Sequence, residues 1–309
     1  MSSNRLKTDK SFTRKDQQCI PDIYDNVNQI YDVLRKLNFK NSNVIVAIDT
    51  SNTSLKYKRE YMNVLNIIAN TLKEFDDDGL IPTLLFNNEQ VLNMKQFVTG
   101  DENSKNCHGL DDVMRIYGRL DDETIYEKEY GMTGVFKKVK EILNENTKGE
   151  YYLLITLTSG HDIKAVRYQI DGYQVKEKMT KEDKEKLKQL KRRKHAMKQH
   201  DKKLEQEIKS MCKYPVSMIN IGVGNSLVDS GDYFDAFNTM DDMVKGRKFD
   251  NYQFVNYSSI FKVADETTDV KSTNDDVLVV KQLQDKFVLE MLREVPIQYS
   301  YMLENKMLK

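Results

Sequence analysis

Three near-continuous apolar runs constrain this chain more than any other feature: VIVAI (44–48), YYLLITL (151–157) and VSMINIGV (216–223). A strand with one wet face alternates apolar and polar residues, and these runs do not. Strands buried on both faces belong to parallel sheets, whose crossover connections lay helices over each side. The intervening segments supply those helices. Residues 61–75 carry Met62, Leu65, Ile68 and Leu72 on one face, and residues 135–143 are a second clear helix. Residues 22–37 do the same through Ile23, Val27, Ile30, Tyr31 and Leu34, with Asp22 as the expected N-cap. Further strands are expected at 80–86 and 253–255, with an edge strand at 96–99; further helices are expected at 110–117, 232–243 and 277–292. The expected fold is α/β: a doubly wound, mostly parallel sheet flanked by helices, with functional loops at the strand C-termini.

One stretch breaks this rhythm. Residues 171–213 hold 15 Lys+Arg against 8 Asp+Glu, a net of +7, whereas the whole chain balances at 48 and 48, so the remainder carries −7. Residues 181–211 contain no Gly or Pro and are rich in good helix formers. They predict one basic helix about 45 Å long. Its apolar residues Leu187, Leu190, Met197, Leu204, Ile208 and Met211 recur about once per turn, a narrow stripe suited to a single neighbour. Two roles compete: a solvated or self-pairing extension, and a docking surface for an acidic partner. For the second, Lys191, Arg192, Arg193, Lys194, Lys198, Lys202 and Lys203 are the candidate contacts. Overall neutrality argues against a chain that coats nucleic acid, and KRRK (191–194) lacks interleaved aromatics.

The expected organisation is a basic arm (1–20), one domain (21–300) with the charged insertion at 171–213, and a C-terminal tail (301–309). No run approaches the ~18 apolar residues of a membrane span. The polar start has no apolar signal core. Cys19, Cys107 and Cys212 form no CxxC pair, which suits a reducing compartment. The expectation is a soluble cytoplasmic protein without a membrane partner.

Five blocks carry a family resemblance: NSNVIVAIDTSNTS, FDDDGLIPTLLF, INIGVG, RKFDNYQFVNYSSIF and REVPIQY. In order and spacing they resemble the copine domain, a branch of the von Willebrand factor A fold, over roughly residues 22–299. The FDNYQFVNY block is most similar to the copine domain of RING-bearing ubiquitin ligases. Only 20 to 40 residues precede the resemblance, too few for a C2 domain, and no Cys or His follows Cys212. Neither the C2 domains of copines nor a C-terminal RING is therefore expected.

The resemblance implies a metal-ion-dependent adhesion site: a DxSxS-like loop after the first strand, a Thr from a second loop and an Asp after a later strand. Here Asp49, Ser51 and Thr53 match the loop, with Thr in place of the last Ser, and Thr133 matches the second element. Ser159 stands where the Asp is expected, leaving one anionic ligand, which lowers affinity for a hard cation such as Mg²⁺. The competing reading makes Asp49, Ser51 and Thr53 caps of backbone amides. Asp162 is a reserve ligand.

Other motifs carry less. GVGNS (222–226) lacks the phosphate-loop Lys, so its glycines are expected to serve packing. His161–Asp162 and Cys107–His108 have no nucleophile partner, and the acidic runs 76–78 and 241–242 suit turns and helix ends. Tyr252, Phe254 and Tyr257 are expected in the core. Tyr299 and Tyr301, beyond the last expected helix, are candidate partner anchors against a default of core packing. No catalytic residues and no obligatory cofactor are expected. The leading function is a non-enzymatic interaction or scaffold module docking on an acidic protein such as tubulin, in a cytoskeletal or ciliary microtubule assembly. The alternatives are an Mg-dependent adaptor that binds a partner carboxylate and a ubiquitin-pathway adaptor.

Overall fold

The computed structural model describes residues 23–39, 42–73, 78–86, 91–120, 132–145, 149–160, 170–173, 175–176, 178–224, 234–261 and 274–308. The arm (1–20), His161 and Asp162 lie outside the described residues. Strands β1 (Asn43–Asp49), β2 (Leu80–Phe86), β3 (Val91–Asn93), β4 (Asn106–His108), β5 (Tyr152–Thr158), β6 (Val216–Gly222) and β7 (Tyr252–Asn256) form one sheet. The order is β3-β2-β1-β5-β6-β7, with β4 beside β2. β1, β2, β5, β6 and β7 are parallel; β3 and β4 are antiparallel to β2. This is the doubly wound α/β sheet expected from the apolar runs.

The reason for those runs is visible in β1. Val44, Val46 and Ile48 enter one hydrophobic core, and Ile45 and Ala47 the other. Helices α1 (Val27–Lys36), α3 (Lys58–Leu72), α5 (Gly109–Arg119), α9 (Asn274–Leu292) and α10 (Val295–Glu304) contribute to the first core. Helices α6 (Met132–Glu145), α7 (Lys181–Met211) and α8 (Asp235–Met243) cover the second. Two further helices, α2 (Asn52–Leu55) and α4 (Met94–Thr99), are single short segments in loops.

Several local expectations are corrected. The first helix begins at Val27, and its N-cap is Asn26, whose side chain accepts from the Gln29 N–H. Residues 96–99 belong to helix α4, not to an edge strand: the Asn93 side chain caps its start and Gly100, at φ 68°, ends it. The chain closes with a second helix, α10, after α9, with a proline in its first turn. Tyr299 and Tyr301 therefore lie within a helix. Tyr299 is buried against Phe39 and Tyr151, at centroid distances of 4.8 and 5.2 Å, and Tyr301 stacks on Phe249 at 4.5 Å. They are packing residues.

Helix α7 runs over the 31 residues expected, starting from a capping box between Thr180 and Asp183. Its two halves differ. Leu204, Ile208 and Met211 are buried in the second core, and Lys140 of α6 pairs with Glu207, so this half is the crossover helix from β5 to β6. Among the described residues, the N-terminal half holds a small cluster in which Met197 meets Ile170, Leu187 and Leu190.

Candidate functional site

In a doubly wound sheet, ligands bind beyond the strand C-termini where the strand order reverses. Here that point lies between β1, whose chain runs on to β2 on one side, and β5 on the other. Asp49 ends β1 and Ser159 follows β5, so the topology alone brings the two together.

The contacts are specific. Asp49 is buried, and its Oδ1 accepts from the Ser51 N–H at 2.8 Å. Its Oδ2 accepts from the Ser159 N–H at 3.2 Å, the Ser159 hydroxyl at 3.1 Å and the Thr158 hydroxyl at 3.5 Å. Ser51 caps α2, its Oγ accepting from the Ser54 N–H at 3.4 Å, while Thr50 Oγ1 donates to the Phe86 carbonyl at 3.1 Å. Burial raises the Asp49 pKa above the ordinary aspartate value, against the hydrogen bonds from Ser51 and Ser159 that pull it down. Beneath it lie the buried hydroxyls of Tyr61 and Tyr117, whose rings stack at 6.2 Å. Tyr61 approaches the Ser54 and Ser159 hydroxyls without a well-formed hydrogen bond. Burial and the Asp49 charge raise both phenols above their usual range.

The remaining residues of the sequence motif are less clearly joined. Thr53 lies in α2, with its side chain outside the described residues. Thr133 sits half-buried in the first turn of α6, where Gly134 admits Val91: a Cβ at Gly134 would stand 2.8 Å from Val91 Cγ2. The donor set is lean for a hard divalent cation. Among the described residues it holds one carboxylate, and both of its oxygens already accept hydrogen bonds.

Two glycines of the β6 exit serve packing, as expected. A Cβ at Gly222 would meet the Phe254 ring at 2.8 Å and Phe234 at 3.0 Å, while Gly224, at φ 144°, faces Tyr57.

The second candidate surface is on α7. With 3.6 residues per turn, Lys184, Lys188, Lys191, His195, Lys198 and Lys202 recur at steps of four and three and fall on one line. All six are exposed, and the line spans about 27 Å on the side away from Met197, Leu204 and Ile208. Of the residues singled out from sequence, Lys191, Lys198 and Lys202 share this line. Arg192 and Lys203 flank it, and Arg193 and Lys194 fall toward the packed side. Lys184, Lys188 and His195 were missed by reading KRRK as a cluster in the chain rather than by helical phase. No acidic residue occurs between Glu185 and Asp201, a window with seven Lys and Arg.

A third cluster had no sequence signal. Carboxylate oxygens of Asp241 in α8, Asp250 before β7 and Glu294 at the α9–α10 junction lie within 4.8 Å of one another. Asp241 Oδ2 accepts from the Phe254 N–H at 3.0 Å, and Arg247 pairs with Asp250 and donates to the Asp241 carbonyl. Burial first, then the charges of Asp241 and Asp250, push the Glu294 pKa up to about 8.

No helix among the described residues is long and apolar enough to cross a membrane. The sequence profile of the Copine family matches residues 52–309. Curated relatives include the E3 ubiquitin-protein ligase RGLG5 of Arabidopsis thaliana, 24% identical over 314 residues that cover 96% of this chain and 62% of the ligase. The ligase RGLG4 of the same plant is 24% identical over 319 residues, 98% of this chain and 68% of that protein. Copine family protein 2 of Caenorhabditis elegans is 23% identical over 251 residues, 81% of this chain and 2% of that protein. The chain thus spans less than two thirds of the first of these relatives.

Proposed function

The chain belongs to the copine family, and on that premise we propose that it is a non-enzymatic protein-interaction module docking on an acidic partner through the exposed line of α7. The observation that carries this reading is the separation of roles within one helix. The last turns of α7, from Leu204 to Met211, are tied into the core, while the helix from Lys184 to Lys202 presents cations over about 27 Å. Among the described residues, no acidic group pairs with Lys188, Lys191, Arg192, Lys198 or Lys202. Such a line steers and orients an acidic protein surface. Cytoskeletal polymers, microtubules of a cilium included, are acidic surfaces of this kind, and tubulin is the partner class proposed first. The location that follows is the cytoplasm, at the cytoskeleton.

A second reading is favoured by the place of Asp49 at the switch point. In that reading Asp49, Ser51, Thr53 and Thr133 would hold Mg²⁺, and the ion would supply a Lewis-acid point of attachment for a partner's carboxylate. The hydrogen bonds from Ser51 and Ser159 weigh against it, because each competes with the ion for the same oxygens. The ligase names of the plant relatives support an adaptor role in a ubiquitin pathway as a context for either reading.

One experiment separates the readings: co-sedimentation with microtubules, for the parent and for a variant carrying Lys191→Glu, Lys198→Glu and Lys202→Glu, each with and without chelator. The expected result is binding that weakens by about tenfold or more in the variant and ignores the chelator. Binding lost on chelation and retained in the variant would overturn the first reading in favour of the second.

A further inference from the structure

Two buried phenols are left over from the bonding around Asp49. Tyr61 in α3 and Tyr117 in α5 are fully enclosed, with their rings stacked at 6.2 Å and 25°. Neither hydroxyl has a hydrogen-bond partner among the described residues. Buried hydroxyls in folded proteins are nearly always paired, because a sealed, unpaired one forfeits its hydration for nothing.

The protons around them can be counted. The Ser54 hydroxyl donates to the Ser51 carbonyl at 2.8 Å, and the Ser159 hydroxyl donates to Asp49 Oδ2 at 3.1 Å. Each serine has spent its one proton and keeps lone pairs on its oxygen. Both serines are buried, and Tyr61 approaches both hydroxyls without closing a bond. Tyr117 joins the group through its stacking on Tyr61, and both phenols lie near enough to feel the Asp49 charge. Burial and that charge keep the two phenols protonated, so they are donors. The cluster therefore offers two O–H donors and two acceptor oxygens at one place, sealed from solvent.

One small group satisfies all four. A water molecule accepts two hydrogen bonds and donates two, and internal waters sit where two to four otherwise unpaired polar groups converge. A cation does not match, because it has no lone pair to accept the phenol protons.

We propose that one internal water sits beneath Asp49, accepting from the Tyr61 and Tyr117 hydroxyls and donating to the Ser54 and Ser159 oxygens. A proton donated to Ser159 polarises the hydroxyl that itself donates to Asp49, so the chain of bonds ends on the carboxylate at the switch point. The same water ties α3 and α5 to α2, after β1, and to the end of β5.

The test has two arms on the full chain. A crystal structure at a resolution that shows ordered water is expected to hold a density peak about 2.8 Å from both phenol oxygens. Urea denaturation of Tyr61→Phe, Tyr117→Phe and the double variant is expected to show a lower midpoint for each single change. The double change is expected to lower it by less than the sum, because either phenylalanine already disturbs the shared water. Phenols that are unpaired predict the opposite sign: phenylalanine removes a buried polar group without a partner and raises the midpoint. A raised midpoint in either single variant would overturn the proposal, and so would strictly additive losses, which mark two separate hydrogen bonds. The density is read on the parent chain, so its absence overturns the proposal even if a variant fails to fold.

Discussion

Replacing Ser159 tests whether its hydroxyl does for Asp49 what a second acidic ligand and a cation do in the family pattern. Ser159→Ala removes the 3.1 Å bond from the hydroxyl to the buried carboxylate and keeps the backbone N–H bond at 3.2 Å. A hydrogen bond to a charged group contributes roughly 1.5–3 kcal/mol, so a loss of about 2 kcal/mol is expected. For a chain of this size that lowers the melting temperature on the order of 4 °C. Ser159→Asp does something different. It sets a second carboxylate roughly 4 Å from the first, a repulsion of about 4 kcal/mol at an effective dielectric near 20. The variant is therefore expected to be less stable than Ser159→Ala in chelator, and to recover in Mg²⁺, because two carboxylates now share the cation. Thermal and urea denaturation of parent and both variants, each in chelator and in excess Mg²⁺, reads the whole pattern. The parent and Ser159→Ala are expected to ignore Mg²⁺. If Ser159→Asp is as stable as the parent in chelator, or if Mg²⁺ stabilises the parent as much as Ser159→Asp, Ser159 is not the substitute for the ion and the reasoning fails.

Two further outcomes follow from packing and charge. Glu294 titrates near 8 in the fold against an ordinary 4.5, so its contribution is fully present below pH 4.5 and is lost as pH rises through 8. Glu294→Gln removes that loss, and its urea midpoint is expected to exceed the parent's above pH 8 and to converge with it in acid. In α7, Leu204→Ala is expected to cost about 2–5 kcal/mol because the side chain is fully buried, whereas Lys191→Glu on the exposed line stays within about 0.5 kcal/mol by chemical denaturation.

What could be read without coordinates follows the range of the interactions involved. Both-face burial writes itself into five or more adjacent residues, so β1, β5 and β6 were legible, and the absence of breakers made α7 legible to the residue. Three-residue β3 and β4 carry no period, and six residues of α4 do not distinguish a helix from a strand; their caps at Asn93 and Gly100 did. Asp49 and Ser51 were found because strand, turn and ligand pattern lie within eight residues. The partnership of Asp49 with Ser159 was half legible: the resemblance placed Ser159 at the site, but only the β1–β5 register shows its hydroxyl bonded to the carboxylate it was expected to accompany. Asp241, Asp250 and Glu294 come from three segments whose meeting is a property of the fold alone.

The basic helix shows why composition and phase answer different questions. A net charge of +7 over residues 171–213 says that an acidic partner is attractive, but not which cations meet it. Phase is set by the packed end, since Leu204, Ile208 and Met211 fix the rotation of α7 against the sheet. A rigid helix carries that rotation outward, so the core chooses which lysines point away from it. Lengthening a crossover helix at its N-terminus therefore yields an oriented surface without a second core. The same logic sets the limit of the device: a proline between Met197 and Leu204 would kink the helix and turn Lys184, Lys188 and Lys191 away from the phase that the packed end sets.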